Sequence, residues 1–321
     1  MMRGEPGGKD RGRAMAGVSR DDPAAAALGG NALSGRAAGF ALFLAATVPL
    51  MWEPLRRLAA FALGYNELYS HIILIPVVSC YLLVSGRRRV FSSVRYSFAA
   101  GGAVILSGLV VRFLAAAHPG PGPDGGLPAM ALSAVMLWAG GFVLFFGWPA
   151  ARKAAFPLLF LLFMVPIPKA AAEGVIGALQ RGSTEVADGL FAMTGVPYIR
   201  EGFTFHLSSL SVEVAEQCSG IRSSLALFIT SVLAGHLFLR TGWKKAALAL
   251  SIFPITIFKN GLRVVTLSLL GAYVDPAILS SALHKRGGIP FFILALALWA
   301  PVLWLLRRSE GRGPDPGEPC R

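Results

Sequence analysis

Eight apolar runs separated by short polar segments govern what this chain can become. They fall near residues 38–52, 69–85, 97–117, 128–147, 154–168, 219–239, 246–271 and 289–306. Runs of about 18 or more apolar residues with few charges are read as helices crossing the hydrocarbon core of a bilayer. Composition agrees: the chain is 55% hydrophobic and only 15% charged, with a mean hydropathy of +0.61, whereas an ordinary soluble domain carries about 25% charged residues. The expected fold is an all-α polytopic membrane protein of about eight transmembrane helices. That domain, residues 37–308, is expected to follow a disordered N-terminal tail, 1–36, and to end in a short tail, 309–321. The first 36 residues are rich in Gly, Ala, Arg and Asp and lack the apolar core of a cleavable signal peptide. The run at 38–52 is therefore expected to be a retained span.

A net charge of +13 is the usual footprint of a nucleic-acid partner, but here the basic residues lie in short clusters between apolar runs. That arrangement is a topology signal and argues against nucleic-acid binding. With the N-terminus inside, nineteen of the thirty Lys and Arg residues fall in cytoplasmic segments, seven in outer segments and four (Arg112, Arg222, Lys259, Arg263) within spans. The bias follows the positive-inside rule and predicts that both termini face the cytoplasm.

Between the fifth and sixth runs, residues 169–217 carry six of the seventeen acidic residues. Val175 to Thr194 has a helical apolar period through Ile176, Leu179, Val186, Leu190 and Met193. It predicts an amphipathic helix lying along the outer interface. From Tyr198 to Val214 apolar residues alternate, and a short β-hairpin is expected with Ser208-Ser209 near its turn.

Ionisable side chains within spans cost about 2.5–3.5 kcal/mol each on insertion scales and mark function by default. Cys218 opens Cys-Ser-Gly-Ile-Arg-Ser-Ser at the outer end of the sixth run, at an expected helix N-terminus. The helix dipole and the free backbone N–H groups there favour the nucleophilic thiolate, and Arg222, four residues on, adds positive charge. Position alone leaves open that Cys218 is a small buried hydrophobe. Arg263 lies in the outer half of the seventh run, with Asn260 one turn earlier on the same face. His284 precedes the eighth run and His71 begins the second, both on the outer side. A thiol, a guanidinium and an imidazole at one membrane face supply a nucleophile, an oxyanion stabiliser and a general acid/base, the parts of acyl transfer through a thioester. The remaining histidines lack ligand spacing, so no metal site is expected, and no phosphate loop or GxSxG elbow is present. Cys80 and Cys320 are given no role.

These residues resemble the exosortase/archaeosortase family of membrane cysteine transpeptidases. Tyr69-Ser70-His71 with Ile-Ile-Leu-Ile-Pro, Met164-Val165-Pro166-Ile167-Pro168, and Gly195-Val196-Pro197 with Arg200-Glu201-Gly202 are similar to family segments. The specific matches are Glu213-Val214-Ala215-Glu216-Gln217-Cys218-Ser219-Gly220-Ile221-Arg222-Ser223, Asn260-Gly261-Leu262-Arg263, and His284. The resemblance implies a bacterial inner-membrane enzyme with its active site on the outer side and no cofactor. Its partners would be membrane lipids, an unknown acceptor nucleophile, and exported proteins bearing a C-terminal signal of the PEP-CTERM type: a short motif such as Pro-Glu-Pro, a hydrophobic span and a basic tail.

On this reading Cys218 attacks the substrate carbonyl, Arg263 stabilises the oxyanion and His284 protonates the leaving amine. Arg222, Asn260 and Glu216 support the site, and His71 is an alternative to His284. The competing class is a membrane transporter or a subunit of exopolysaccharide export, lined by Arg222, Lys259 and Arg263, in which Cys218 is incidental.

Overall fold

Apolar runs form the helices here, and prolines or left-handed glycines end or break several of them. The computed structural model describes residues 23–64, 67–118, 120, 125–215, 221–275 and 288–310. In chain order the elements are α1 (Pro23–Leu50), α2 (Trp52–Leu63), a 3₁₀ segment (Glu67–Ile73), α3 (Leu74–Ser85), α4 (Arg87–Val90), α5 (Phe98–Ala117) and α6 (Leu127–Lys153). Then come α7 (Ala155–Phe160), a 3₁₀ turn (Leu161–Met164), α8 (Lys169–Thr194), strands β1 (Tyr198–Glu201), β2 (Thr204–Leu207) and β3 (Ser211–Glu213), and helices α9 (Ile221–Phe238), α10 (Gly242–Leu250), α11 (Ile252–Tyr273) and α12 (Gly288–Arg308). Helix α1 begins inside the stretch 1–36 that the sequence reading assigns to a disordered tail.

Among the described residues, five helical stretches are long and apolar enough to cross a membrane: Leu33–Leu50, Phe98–Ala117, Leu127–Lys153, Gly242–Tyr273 and Pro290–Arg308. Two more apolar helices, His71–Ser85 and Ser223–Phe238, are shorter. The chain is a multi-pass α-helical membrane protein. The run at 154–168 is not one straight span. Pro166 and Pro168 remove backbone donors and hold the residues before them extended, so the helix stops and resumes as α8 at 88°.

The scaffold is the antiparallel pair α5–α6. A Cβ on Gly101 would meet the backbone of Leu144 at 2.5 Å, and one on Gly140 would meet the Ile105 nitrogen at 2.9 Å. Only glycine lets the two backbones come this close, as small residues do at membrane helix interfaces. Near its end α6 breaks at Gly147, whose φ of 86° suits glycine. The 91–97 segment lies against this break, Arg95 and Ser97 donating their N–H to the carbonyls of Phe146 and Leu144. Phe91, Phe142 and Phe146 form an aromatic cluster beside it.

Lys153 donates to Ser92 Oγ at 2.6 Å, Phe156 stacks on His236 of α9, and Glu310 accepts from the N–H groups of Arg240 and Thr241. These contacts gather Arg87–Arg89, Lys153 and Arg240 at one end of the molecule, the arginine end.

Beyond α8 the chain forms a three-stranded antiparallel sheet, order β1-β2-β3, rather than a two-stranded hairpin. Its tight turn is at Gly202-Phe203, where Gly202 has φ 60°, and Ser208-Ser209 lies in the loop joining β2 to β3. The sheet closes over α8 and α11 through Phe191, Phe205, Leu207, Val214, Val264 and Val265.

Helix α8 departs from the expected surface helix. It packs lengthwise along α11 in the same chain direction: a Cβ on Gly182 would meet Ile257 at 2.8 Å, and one on Gly261 would meet Val186 at 2.7 Å. Its buried residues are Leu179, Gln180, Ser183, Thr184, Ala187 and Phe191. Of the apolar side chains that define the amphipathic period, Leu179 alone is fully buried, and Met193 is 83% exposed. The buried stripe is half polar, and its Ala187 and Phe191 pack in one core with Val264 and Val265 of α11.

Candidate functional site

Chemistry concentrates where α8, α11 and the start of α9 meet beneath the sheet. Arg263 and Asn260 stand one turn apart on α11, with Lys259 beside them. Asn260 is fully buried and Lys259 is 4% exposed. Lys259 Nζ donates to Ser223 Oγ at 2.9 Å, which ties the Lys-Asn-Gly-Leu-Arg segment to the first turn of α9. That turn begins three residues after Cys218. Neither Oδ1 nor Nδ2 of Asn260 has a hydrogen-bond partner among the described residues. A buried amide left so costs about 1–3 kcal/mol, an expense typical of functional positions.

Gly261, within the same motif, has a structural duty. It admits Val186 and Ala187 of α8, so the turn of α8 carrying Ser183 and Thr184 lies against the turn of α11 carrying Lys259 and Asn260. Thr184 returns its hydroxyl proton to the Gln180 carbonyl at 2.9 Å. Gln180 donates through Nε2 to the Val214 carbonyl at 2.7 Å. Val214 is itself fully buried, and its N–H donates to the Phe203 carbonyl at 2.9 Å. The chain is thus clamped from two sides just as it leaves the sheet towards residues 216–220.

Arg200 of β1 holds the sheet on α8. Its guanidinium bonds Glu185 and, at 3.2 Å, Asp188, while Tyr198 donates to Asp188 Oδ1 at 2.8 Å. Gly-Val-Pro and Arg-Glu-Gly, two of the segments quoted from the sequence, bracket this strand.

Of the residues expected to act, Arg263 and Asn260 sit together on α11. His71 lies in the 3₁₀ segment Glu67–Ile73, which packs on α9: Tyr69 and Ile72 share a core with Ile229 and Leu225. Arg222 belongs to the first turn of α9. Cys218, Glu216 and His284 lie outside the described residues. Among the described residues no three His, Cys, Asp or Glu side chains converge to hold a metal.

Several residues here escape the sequence reading. Lys259 entered it only as part of a transport lining, although a lysine inside an apolar run is itself a signal. Gln180, Ser183, Thr184 and Ala187 repeat at i, i+3, i+4 and i+7, a small-and-polar stripe as regular as the apolar one that was read instead.

Residues 63–300 match the family model described as transmembrane exosortase (Exosortase_EpsH). No curated protein and no solved structure matches the chain.

Proposed function

The chain belongs to the transmembrane exosortase family, and from that premise we propose that it is a membrane cysteine transpeptidase processing C-terminal sorting signals of exported proteins. The observation that carries the reading is the Lys259–Ser223 bond. It ties the segment bearing Arg263 to the first turn of α9, which follows Cys218 by three residues in the sequence, and this supports assigning the two motifs to one site.

In the proposed reaction the Cys218 thiolate attacks the carbonyl carbon of the scissile peptide bond at the outer membrane boundary. The carbonyl oxygen takes up the negative charge and Arg263 stabilises it. His284, or His71 in its place, gives a proton to the departing amine as the C–N bond breaks, leaving an acyl thioester on Cys218. An acceptor nucleophile then attacks the thioester and frees the thiolate. Asn260, with its amide uncommitted among the described residues, binds the substrate backbone. Arg222 and Glu216 support the site. Lys259 and Gln180 are positioning residues: one fixes the first turn of α9, the other the exit of β3.

The substrates are proteins whose C-terminal signal joins a Pro-Glu-Pro-type motif, a hydrophobic span and a basic tail. The span enters from the bilayer, and the tail stays at the arginine end. Eight crossings result when His71–Ser85, Ser223–Phe238 and the bent α7–α8 pair are added to the five long stretches. The charge bias then sets both termini in the cytoplasm and the sheet on the outer face of the inner membrane.

The test is co-expression of a reporter carrying such a signal with wild type or Cys218→Ala at matched membrane levels. Cleavage by wild type alone is expected. Equal cleavage by both would remove Cys218 as nucleophile and favour the transport or export reading.

A further inference from the structure

At the arginine end, far along the chain from the residues discussed above, an apolar trough of about 510 Å³ opens between α1, α3 and α6. Leu33 and Ala37 form one wall, Leu83 the other, and Phe146 its floor. Phe146 is 3% exposed and packed against Phe91 at 4.8 Å between ring centroids, so the floor is set by the protein core. Arg87 and Arg88 stand at the mouth, both exposed, and no carboxylate among the described residues forms a salt bridge with either.

We propose that this trough is a binding site for an anionic phospholipid, with an acyl chain along Leu33, Ala37, Leu83 and Phe146 and the phosphate between Arg87 and Arg88.

An occupant must present an apolar rod and an anion at one end. A phospholipid does both, and basic pockets between membrane helices are known lipid headgroup sites. The volume lies within the range of about 300–1,000 Å³ found for small-ligand sites. The N-terminal segment 1–22 has no four consecutive apolar side chains to fill the trough. The inference is independent of the catalytic reading and needs only that the chain sits in a bilayer.

The experiment uses the full chain in nanodiscs containing phosphatidylglycerol with a photoreactive acyl chain, and cross-linked peptides are mapped. Label should concentrate on residues 33–37 and 83–91 and be displaced by unlabelled phosphatidylglycerol but not by phosphatidylcholine. In the surface variant R87Q/R88Q it should fall about tenfold or more, and in Ala37→Phe, which fills the trough, by a similar factor. R307Q/R308Q, which removes equal charge elsewhere at this end, should retain the label. Equal loss in R307Q/R308Q would mean diffuse surface attraction and overturn the proposal. So would label spread evenly over the lipid-facing helices, or its absence from the trough because the N-terminal segment or a second copy covers it.

Discussion

The α5–α6 and α8–α11 pairs are joined by the same device and filled with opposite material. In each, glycines let backbones or bulky side chains approach to distances that a Cβ would forbid: Gly101 and Gly140 in one pair, Gly182 and Gly261 in the other. On α5 and α6 the buried residues are Gly, Ala, Val, Leu, Met, Phe and a single hydroxyl, Ser133, which bonds the Met130 carbonyl at 2.6 Å. On α8 and α11 the buried polar side chains are Gln180, Ser183, Thr184, Thr256, Lys259, Asn260 and Ser268. Burying such groups costs free energy unless each finds a partner. The first pair is built for stability. The second gives some of it up to hold polar groups at fixed positions. Close glycine packing therefore marks rigidity, and only what it encloses separates scaffold from site.

This contrast can be broken experimentally. The largest effect is expected for Arg263→Ala, which removes the proposed oxyanion donor: processing of the signal reporter should fall about 10²–10³-fold while the thermal midpoint in detergent stays near wild type. A collapse of both together would make Arg263 structural. Gly101→Ala comes next and should show the converse. Its Cβ would lie 2.5 Å from the Leu144 backbone, and overpacking of this kind costs about 1–3 kcal/mol. The expected result is a lower melting temperature, with activity per folded molecule kept. Gly261→Ala would bring a Cβ to 2.9 Å from Val186 Cβ and 3.1 Å from the Ala187 nitrogen, so its melting point should drop as well, and its processing per folded molecule should fall with it. If both glycine variants behave alike in both assays, the distinction between the pairs is lost.

Asn260→Leu sharpens the point. Removing an amide without a partner among the described residues should leave stability unchanged or raise it by up to about 1–3 kcal/mol, whereas processing should decline. A destabilised Asn260→Leu protein would show that the amide is bonded in the fold and is not held for the site.

The smallest effect lies at the α9–α10 junction. Backbone donors of Thr241 and Arg240 hold the Glu310 carboxyl below its ordinary value of 4.5. A depressed carboxylate contributes stability above its unfolded pKa and loses it as pH falls through the lower folded value. Protection factors at the α9–α10 junction, with the intrinsic pH dependence of amide exchange divided out, should therefore fall slightly as the pH drops below about 4.5. Glu310→Gln should remove that dependence, and neither helix pair should respond to it.

Much of this molecule is legible in order of residues alone. Long apolar runs must become membrane helices, because no other local structure satisfies their backbone there, and the helices around 97–117, 128–147, 246–271 and 289–306 stand where the runs are. Arg263 and Asn260 are visible because a charged or amide side chain in such a run is costly. Membership of the exosortase family is also carried by local motifs.

Other features depend on what faces what. The apolar period of α8 points to Ile176, Leu179, Val186, Leu190 and Met193, but the residues it buries are Leu179, Gln180, Ser183, Thr184, Ala187 and Phe191. Periodicity reports which residues share a face, not which face a distant helix will cover. The bond from Lys259 to Ser223 spans 36 residues and that from Gln180 to Val214 spans 34, distances along the chain that no local pattern encodes. The sequence by itself determined a polytopic helical membrane protein, its family and its costly polar residues, since transfer free energy acts on each segment separately. Only the tertiary structure decided that α8 lies along α11 with its polar stripe inward, that the sheet has three strands, and that Lys259 joins α11 to α9. Those outcomes rest on packing and hydrogen bonds between segments, which exist only once the chain has folded.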